Sequence, residues 1–146
     1  MNKFKNLLQL SLLLLTLTGI PSAQAIPETK PKPHRIIFQM VSGDTLSHKA
    51  LMKQLQNITS VAPTTQIEVV CHGPGLNMLT NDKSVVSQQL NTMLGKGIAF
   101  YACEFSMQER KVEKERILPG IGFVKAGIIA IVERQEQGWS YIKAGF

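Results

Sequence analysis

The chain has 146 residues, 44% of them hydrophobic and 18% charged, and a formal net charge of +6. That is enough apolar chain for one domain with a single core. The cations stand singly, at Lys49, Lys53, Lys83, Lys96, Lys125 and Lys143, and the one dense run, Glu109 to Arg116, alternates in sign. A run of that kind is a solvated helical face, and nucleic-acid binding is not inferred from it.

Met1 to Lys5 carries two lysines, Leu7 to Ile20 is leucine-rich, and Pro21-Ser22-Ala23-Gln24-Ala25 ends in a small-x-small pattern. This predicts a secretory signal peptide over residues 1–25. Gln9, Thr16 and Thr18 interrupt the apolar stretch, which falls short of the roughly 20 residues that a membrane span needs. Lys3 and Lys5 leave with the peptide, taking the net charge from +6 to +4. No later segment is long and apolar enough to span a bilayer, so the expected product is periplasmic or secreted. Residues 26–34, with three prolines, read as a flexible tail, and residues 35–146 as the domain.

Arg35 to Val41 is a nearly continuous apolar run, the pattern of a strand covered on both faces. Ser42-Gly43-Asp44-Thr45 supplies a turn and a helix cap. Leu46, Ala50, Leu51, Leu55 and Ile58 then recur at helical spacing, up to about Ser60. The cycle repeats with a strand from Ile67 to Cys71, the turn His72-Gly73-Pro74-Gly75, a short helical turn over Leu76 to Leu79, and a helix from Lys83 to Leu94. A third strand is expected from Ile98 to Ala102, then a loop at Cys103 and a polar helical segment between Ser106 and Ile117. Ile121 to Val124 reads as a fourth strand, Gly127 to Glu136 as a helix, and Trp139 to Lys143 as the last strand. Strands alternating with helices through short connections imply a three-layer α/β/α domain around a mostly parallel sheet.

Both cysteines, Cys71 and Cys103, stand where strands give way to connections. In an open α/β sheet the carboxyl ends of the strands are where ligands bind. Ser42, Gly43 and Asp44 end the first strand on the same edge, either lining a pocket or serving only as a cap. Gly73 and Gly75 permit an anion-binding nest beside the thiols, although a loop of this composition also serves simply to turn the chain. His72 is a candidate charge partner for a thiolate, or a structural loop histidine. Cys71, His72 and Cys103 are too few for a metal site, and no cofactor motif or serine-hydrolase elbow is present.

The blocks Val69-Val70-Cys71-His72-Gly73-Pro74-Gly75-Leu76, Gly97-Ile98-Ala99-Phe100-Tyr101-Ala102-Cys103 with Ser106-Met107, Leu118-Pro119-Gly120, and Gly138-Trp139-Ser140-Tyr141-Ile142-Lys143 together resemble the DsrE/DsrF-like family. The resemblance runs from about Arg35 to the end. It implies a five-stranded DsrEFH-like fold, homo-oligomers, and a cysteine after the third strand that carries sulfur as a persulfide. On this chain that cysteine is Cys103. The export signal and Cys71 set the sequence apart from the sulfur-relay members.

A sulfur-carrying cysteine must be accessible and ionised. A helix N-terminus after Cys103, with Ser106 as a possible cap, would lower its pKa, while the adjacent Glu104 would raise it. An exported chain with two cysteines also admits a Cys71–Cys103 disulfide. Two classes therefore stand. One is a sulfur carrier that exchanges sulfane sulfur with a donor or acceptor protein or a small sulfur compound, with Cys71 resolving or shielding Cys103. The other is a non-enzymatic oligomeric binding module whose cysteines are inert or bridged.

Overall fold

The computed structural model describes residues 32–145. The expected signal peptide and residues 26–31 of the expected tail lie outside the described residues. Strand β1 (Arg35–Met40) buries Ile37, Phe38 and Met40 completely or nearly so. The Asp44 carboxylate then accepts the Ser47 N–H at 3.0 Å and caps α1 (Thr45–Val61). That cap occupies one of the N–H groups that a helix start leaves unpaired. Leu51, Met52 and Leu55 form the buried stripe of α1, at the spacing of one helical face.

The remaining elements are β2 (Gln66–Cys71), a 3-10 segment (Gly73–Leu79), α2 (Ser87–Gly95), β3 (Ala99–Cys103), α3 (Glu104–Glu109), a 3-10 turn (Lys114–Arg116), β4 (Gly122–Val124), α4 (Gly127–Glu136) and β5 (Ser140–Ala144). All pairings in the sheet are parallel, in the order β4-β3-β2-β1-β5. The chain steps from β1 across to β4, then returns through α4 to place β5 on the free side of β1.

Side-chain parity divides the sheet into two faces. Phe38, Met40, Val69, Cys71, Phe100 and Ala102 point to one face and pack with Leu51, Leu55, Leu90 and Met93 of α1 and α2. Full burial of Phe38 or Phe100 contributes about 1.5–3 kcal/mol each. On the other face Ile37 and Val70 meet Ile131 of α4, with Tyr101, Val124 and Trp139 around them. Glu68, also on this face, is held by Arg134 of α4 at 2.7 Å. The result is the three-layer sandwich expected, with a thicker helical layer on one side.

Three local differences bear on the site. Strand β3 runs through Cys103 and α3 follows at once, so no loop separates them. The charged run is not one helix either. α3 ends at Glu109, Lys111 takes a left-handed conformation (φ 53°), and the Val112 N–H returns to the Met107 carbonyl at 2.9 Å, a helix stop normally built on glycine. Finally, α2 begins at Ser87 rather than Lys83. Residues 80–84 are occupied in a turn, with Ser84 N–H on the Thr80 carbonyl, Asn81 N–H on the Arg116 carbonyl, and Asp82 paired with Arg116.

Candidate functional site

The register of β2 on β3 decides the relation between the two thiols. Cys71 pairs with Ala102, so their side chains share a face, and Cys103, one residue further, points to the opposite one. Cys71 is 0% exposed in the core beneath α1 and α2, and burial pushes its thiol pKa up. Both cysteines are free. The expected juxtaposition of Cys71 with Cys103, whether as a bridge or as a resolving pair, is thus not formed, because adjacent positions along parallel strands alternate through the sheet.

Cys103 lies on the α4 side at the carboxyl end of β3 and is 4% exposed. The Gly127 N–H, in the first turn of α4, donates to its Sγ at 3.2 Å. That interaction places the sulfur at the positive end of a ten-residue helix. Burial raises the thiol pKa, but hydrogen bonds from the Ser106 hydroxyl and from the Ser106, Gly127 and Phe105 N–H groups outweigh it, and the net shift is downward. Glu104 does not oppose this as the sequence suggested. Its carboxylate is neutralised between Lys114 at 3.4 Å and Lys125 at 3.5 Å.

Ser106 is not a helix cap. It stands inside α3, buried, and accepts the Gly73 N–H at 2.8 Å, which leaves its own proton for the sulfur. This contact consumes the donor that an anion nest at Gly73 would have offered. The Gly75 N–H likewise bonds the His72 carbonyl at 3.1 Å. At Gly75 a Cβ would come within 2.2 Å of the Met40 carbonyl oxygen, so only glycine permits this approach of loop to strand. Pro74 is exposed and packs against Gly43. The His72–Gly75 segment therefore acts as a packed turn that holds Ser106 in place.

His72 lies on the same sheet face as Cys103, on the other side of Gly127. A Cβ on Gly127 would sit 3.2 Å from the His72 Cβ and 3.3 Å from the Cys103 Cβ, so those two atoms are at most about 6.5 Å apart, the sum of the two distances. The ring of His72 turns away from the sulfur. Its Nε2 meets the Gln39 side-chain nitrogen at 2.7 Å, and the Gln39 Oε1 accepts the Tyr141 hydroxyl. With the amide in this orientation Nε2 is an acceptor and the ring proton resides on Nδ1. Burial lowers the His72 pKa, consistent with a neutral ring. Ser42 lines the adjoining groove with Gln39, Val41, His72, Lys143 and Ala144. Gly43 and Asp44 do not line it, and Asp44 is engaged as the α1 cap.

Gly127, Lys125, Gln39, Tyr141 and Lys143 were not singled out from sequence as site residues. Gln39 carried a readable signal, as the lone polar residue inside the apolar run of β1. Gly127 and Lys125 carried none, because the return of α4 that brings them to Cys103 depends on strand order. Among the described residues no cluster of three His, Cys, Asp or Glu side chains is arranged to hold a metal ion, and no helix is long and apolar enough to cross a membrane.

Comparison with known proteins agrees with this architecture. An all-parallel five-stranded sheet flanked by helices is the frame of a DsrE-like protein. Residues 36–144 match the DsrE/DsrF-like family, and the chain belongs to it. A protein of unknown function from Methanobacterium thermoautotrophicum, MTH1491, is similar at 29% identity, with a TM-score of 0.72 over 75% of this chain and 98% of that one. The conserved protein of unknown function BT1422 from Bacteroides thetaiotaomicron shares the fold at 18% identity (TM-score 0.63, 75% of this chain and 93% of that one). So does the ychN protein of E. coli, at 8% identity (TM-score 0.59, 77% and 99%). No curated protein matches the chain.

Proposed function

We propose that this protein is an exported sulfur carrier that accepts sulfane sulfur on Cys103 and passes it on. The supporting observation is the environment of Sγ, where the Gly127 N–H and the Ser106 hydroxyl favour the thiolate despite burial. In the loading step the Cys103 thiolate attacks the outer sulfur of a persulfide donor, R–S–SH. The donor S–S bond breaks, a Cys103–S–SH forms with the proton retained on the outer sulfur, and R–S⁻ leaves. Transfer to an acceptor thiolate reverses the same exchange, so no net oxidant or reductant is consumed. Family membership, associated generally with sulfur relay, supports the same chemistry. The export part of the proposal rests on the residue 1–25 pattern.

Self-association completes the proposal. Ile128, Ile129 and Val132 on α4 and Phe105 on α3 are exposed large apolar side chains, a surface suited to a second copy or to a protein that exchanges sulfur with Cys103.

The low exposure of Cys103 favours a second reading, an oligomeric binding module with inert thiols. Intact mass separates the two. After polysulfide treatment the carrier gains the mass of one sulfur atom, lost on reduction and absent in Cys103→Ser. A chain whose mass does not change, and whose native thiols both resist alkylation, is the binding module.

A further inference from the structure

We infer that the groove beside His72 is a second site, one that seats a carboxylate of a short peptide thiol and so presents its persulfide to Cys103. This inference rests on the carrier reading above and names the class of its small donor. The groove, about 610 Å³, lies at the carboxyl ends of β1, β2 and β5. That is where the chain, having stepped from β1 to β4, returns to the far side of β1, the kind of reversal at which α/β sheets open a crevice.

Apart from Gln39, whose amide is engaged by His72 and Tyr141, its polar side chains are donors. Lys143 is the one charged residue lining it and makes no ion pair among the described residues. The ring proton of His72 is on Nδ1, because Nε2 accepts from Gln39, which Tyr141 in turn fixes, and Nδ1 has no hydrogen-bond partner among the described residues. The Ser42 oxygen accepts the Asp44 N–H at 3.1 Å, leaving its hydroxyl proton available. An ammonium, an imidazole N–H and a hydroxyl, with no lining carboxylate, suit a carboxylate ligand. By contrast, Lys114 and Lys125 near Cys103 are already paired with Glu104.

Position sets the size of the ligand. Lys143 on β5 and Cys103 on β3 are three strand spacings apart and two register steps along the sheet, together about 16 Å. The four-carbon stem of Lys143 covers less than half of this. The remainder, roughly 10 Å, matches a chain of about three residues and exceeds the carboxylate-to-sulfur reach of a single amino acid. His72 bridges the two sites, its ring on the groove and its Cβ against Gly127. Seated in this way, a peptide persulfide transfers its outer sulfur by the exchange already written and departs as the peptide thiolate.

The test loads the full chain with glutathione persulfide or with the persulfide of glutathione diethyl ester, and follows the mass of Cys103 with time. Unesterified donor should load about tenfold faster, the effect of one charge-assisted hydrogen bond. Lys143→Gln should bring the ratio close to one, and Lys53→Gln on α1 should not. Titration of glutathione into Cys103→Ser, followed by amide shifts, should move Ser42, His72 and Lys143. Equal loading from both donors, with no shifts in the groove, overturns this site and leaves Cys103 as a carrier. Groove shifts without any mass gain on the unmodified chain support the site and overturn the carrier reading.

Discussion

Replacing Ser106 with alanine tests the hydroxyl that stands between the Cys103 sulfur and the turn at Gly73. The hydroxyl accepts the Gly73 N–H at 2.8 Å, and its interaction with the Cys103 sulfur lowers the thiol pKa. A hydrogen bond to a charged group is worth about 1.5–3 kcal/mol. The Gly127 N–H remains in the variant, so the lower end applies, and 1.4 kcal/mol corresponds to about one pKa unit. The sign is upward, since the lost bond stabilised the anion. Alkylation of native protein by iodoacetamide across pH reads it directly. The wild-type midpoint should lie below that of a free cysteine, and Ser106→Ala should raise it by about one unit. Below both midpoints the variant reacts about tenfold more slowly, whereas well above them the two rates converge. An unchanged midpoint would refute the argument. So would a loss of rate that is the same at every pH, because that is the mark of altered access rather than altered ionisation.

Glycine substitutions should separate in sign. In Gly127→Ala the new methyl meets the Val70 Cγ1 and the His72 and Cys103 Cβ atoms at 3.2–3.3 Å, which should cost about 1–3 kcal/mol and lower Tm in a calorimetric scan. Gly95→Ala, at the end of α2 with nothing within 4 Å, should raise Tm by a few degrees, the equivalent of about 0.4–1 kcal/mol. Thiol counting gives a third check. One cysteine should alkylate in native protein and two in denaturant, and peptide mapping should place the native adduct on Cys103, whereas early labelling of Cys71 would contradict its burial in the core.

The alternation of strand and helix was legible because apolar runs and breakers are local signals. Arg35 to Val41 reads as a buried strand and Leu46 to Ile58 as a helix without reference to any other segment, and α4 has the expected limits, Gly127–Glu136. What was not legible depends on contacts distant in sequence. Ser106 resembles a cap until Gly73, 33 positions earlier, is found bonded to it. Cys103 is served by two helix starts, that of α3, which follows it as expected, through the Ser106 and Phe105 N–H groups, and that of α4, which the return crossover sets there, through Gly127. Register between β2 and β3 put the two cysteines on opposite faces, and a one-residue slip would have put them on the same one. The start of α2 was misplaced for a similar reason, as residues 80–84 are bound to the 113–118 segment.

The opposed faces of the two cysteines bear on how long sulfur can be stored. A persulfide beside a second thiol discharges itself, since the thiolate attacks the inner sulfur, a disulfide closes and hydrosulfide escapes. Here the second thiol of the described residues is sealed behind the sheet, and no rotation of either side chain brings it round. On the proposed function, a sulfur atom loaded on Cys103 would wait for an acceptor from outside the subunit, and the lifetime of the loaded state would be set by encounter with that acceptor rather than by the chain's own chemistry.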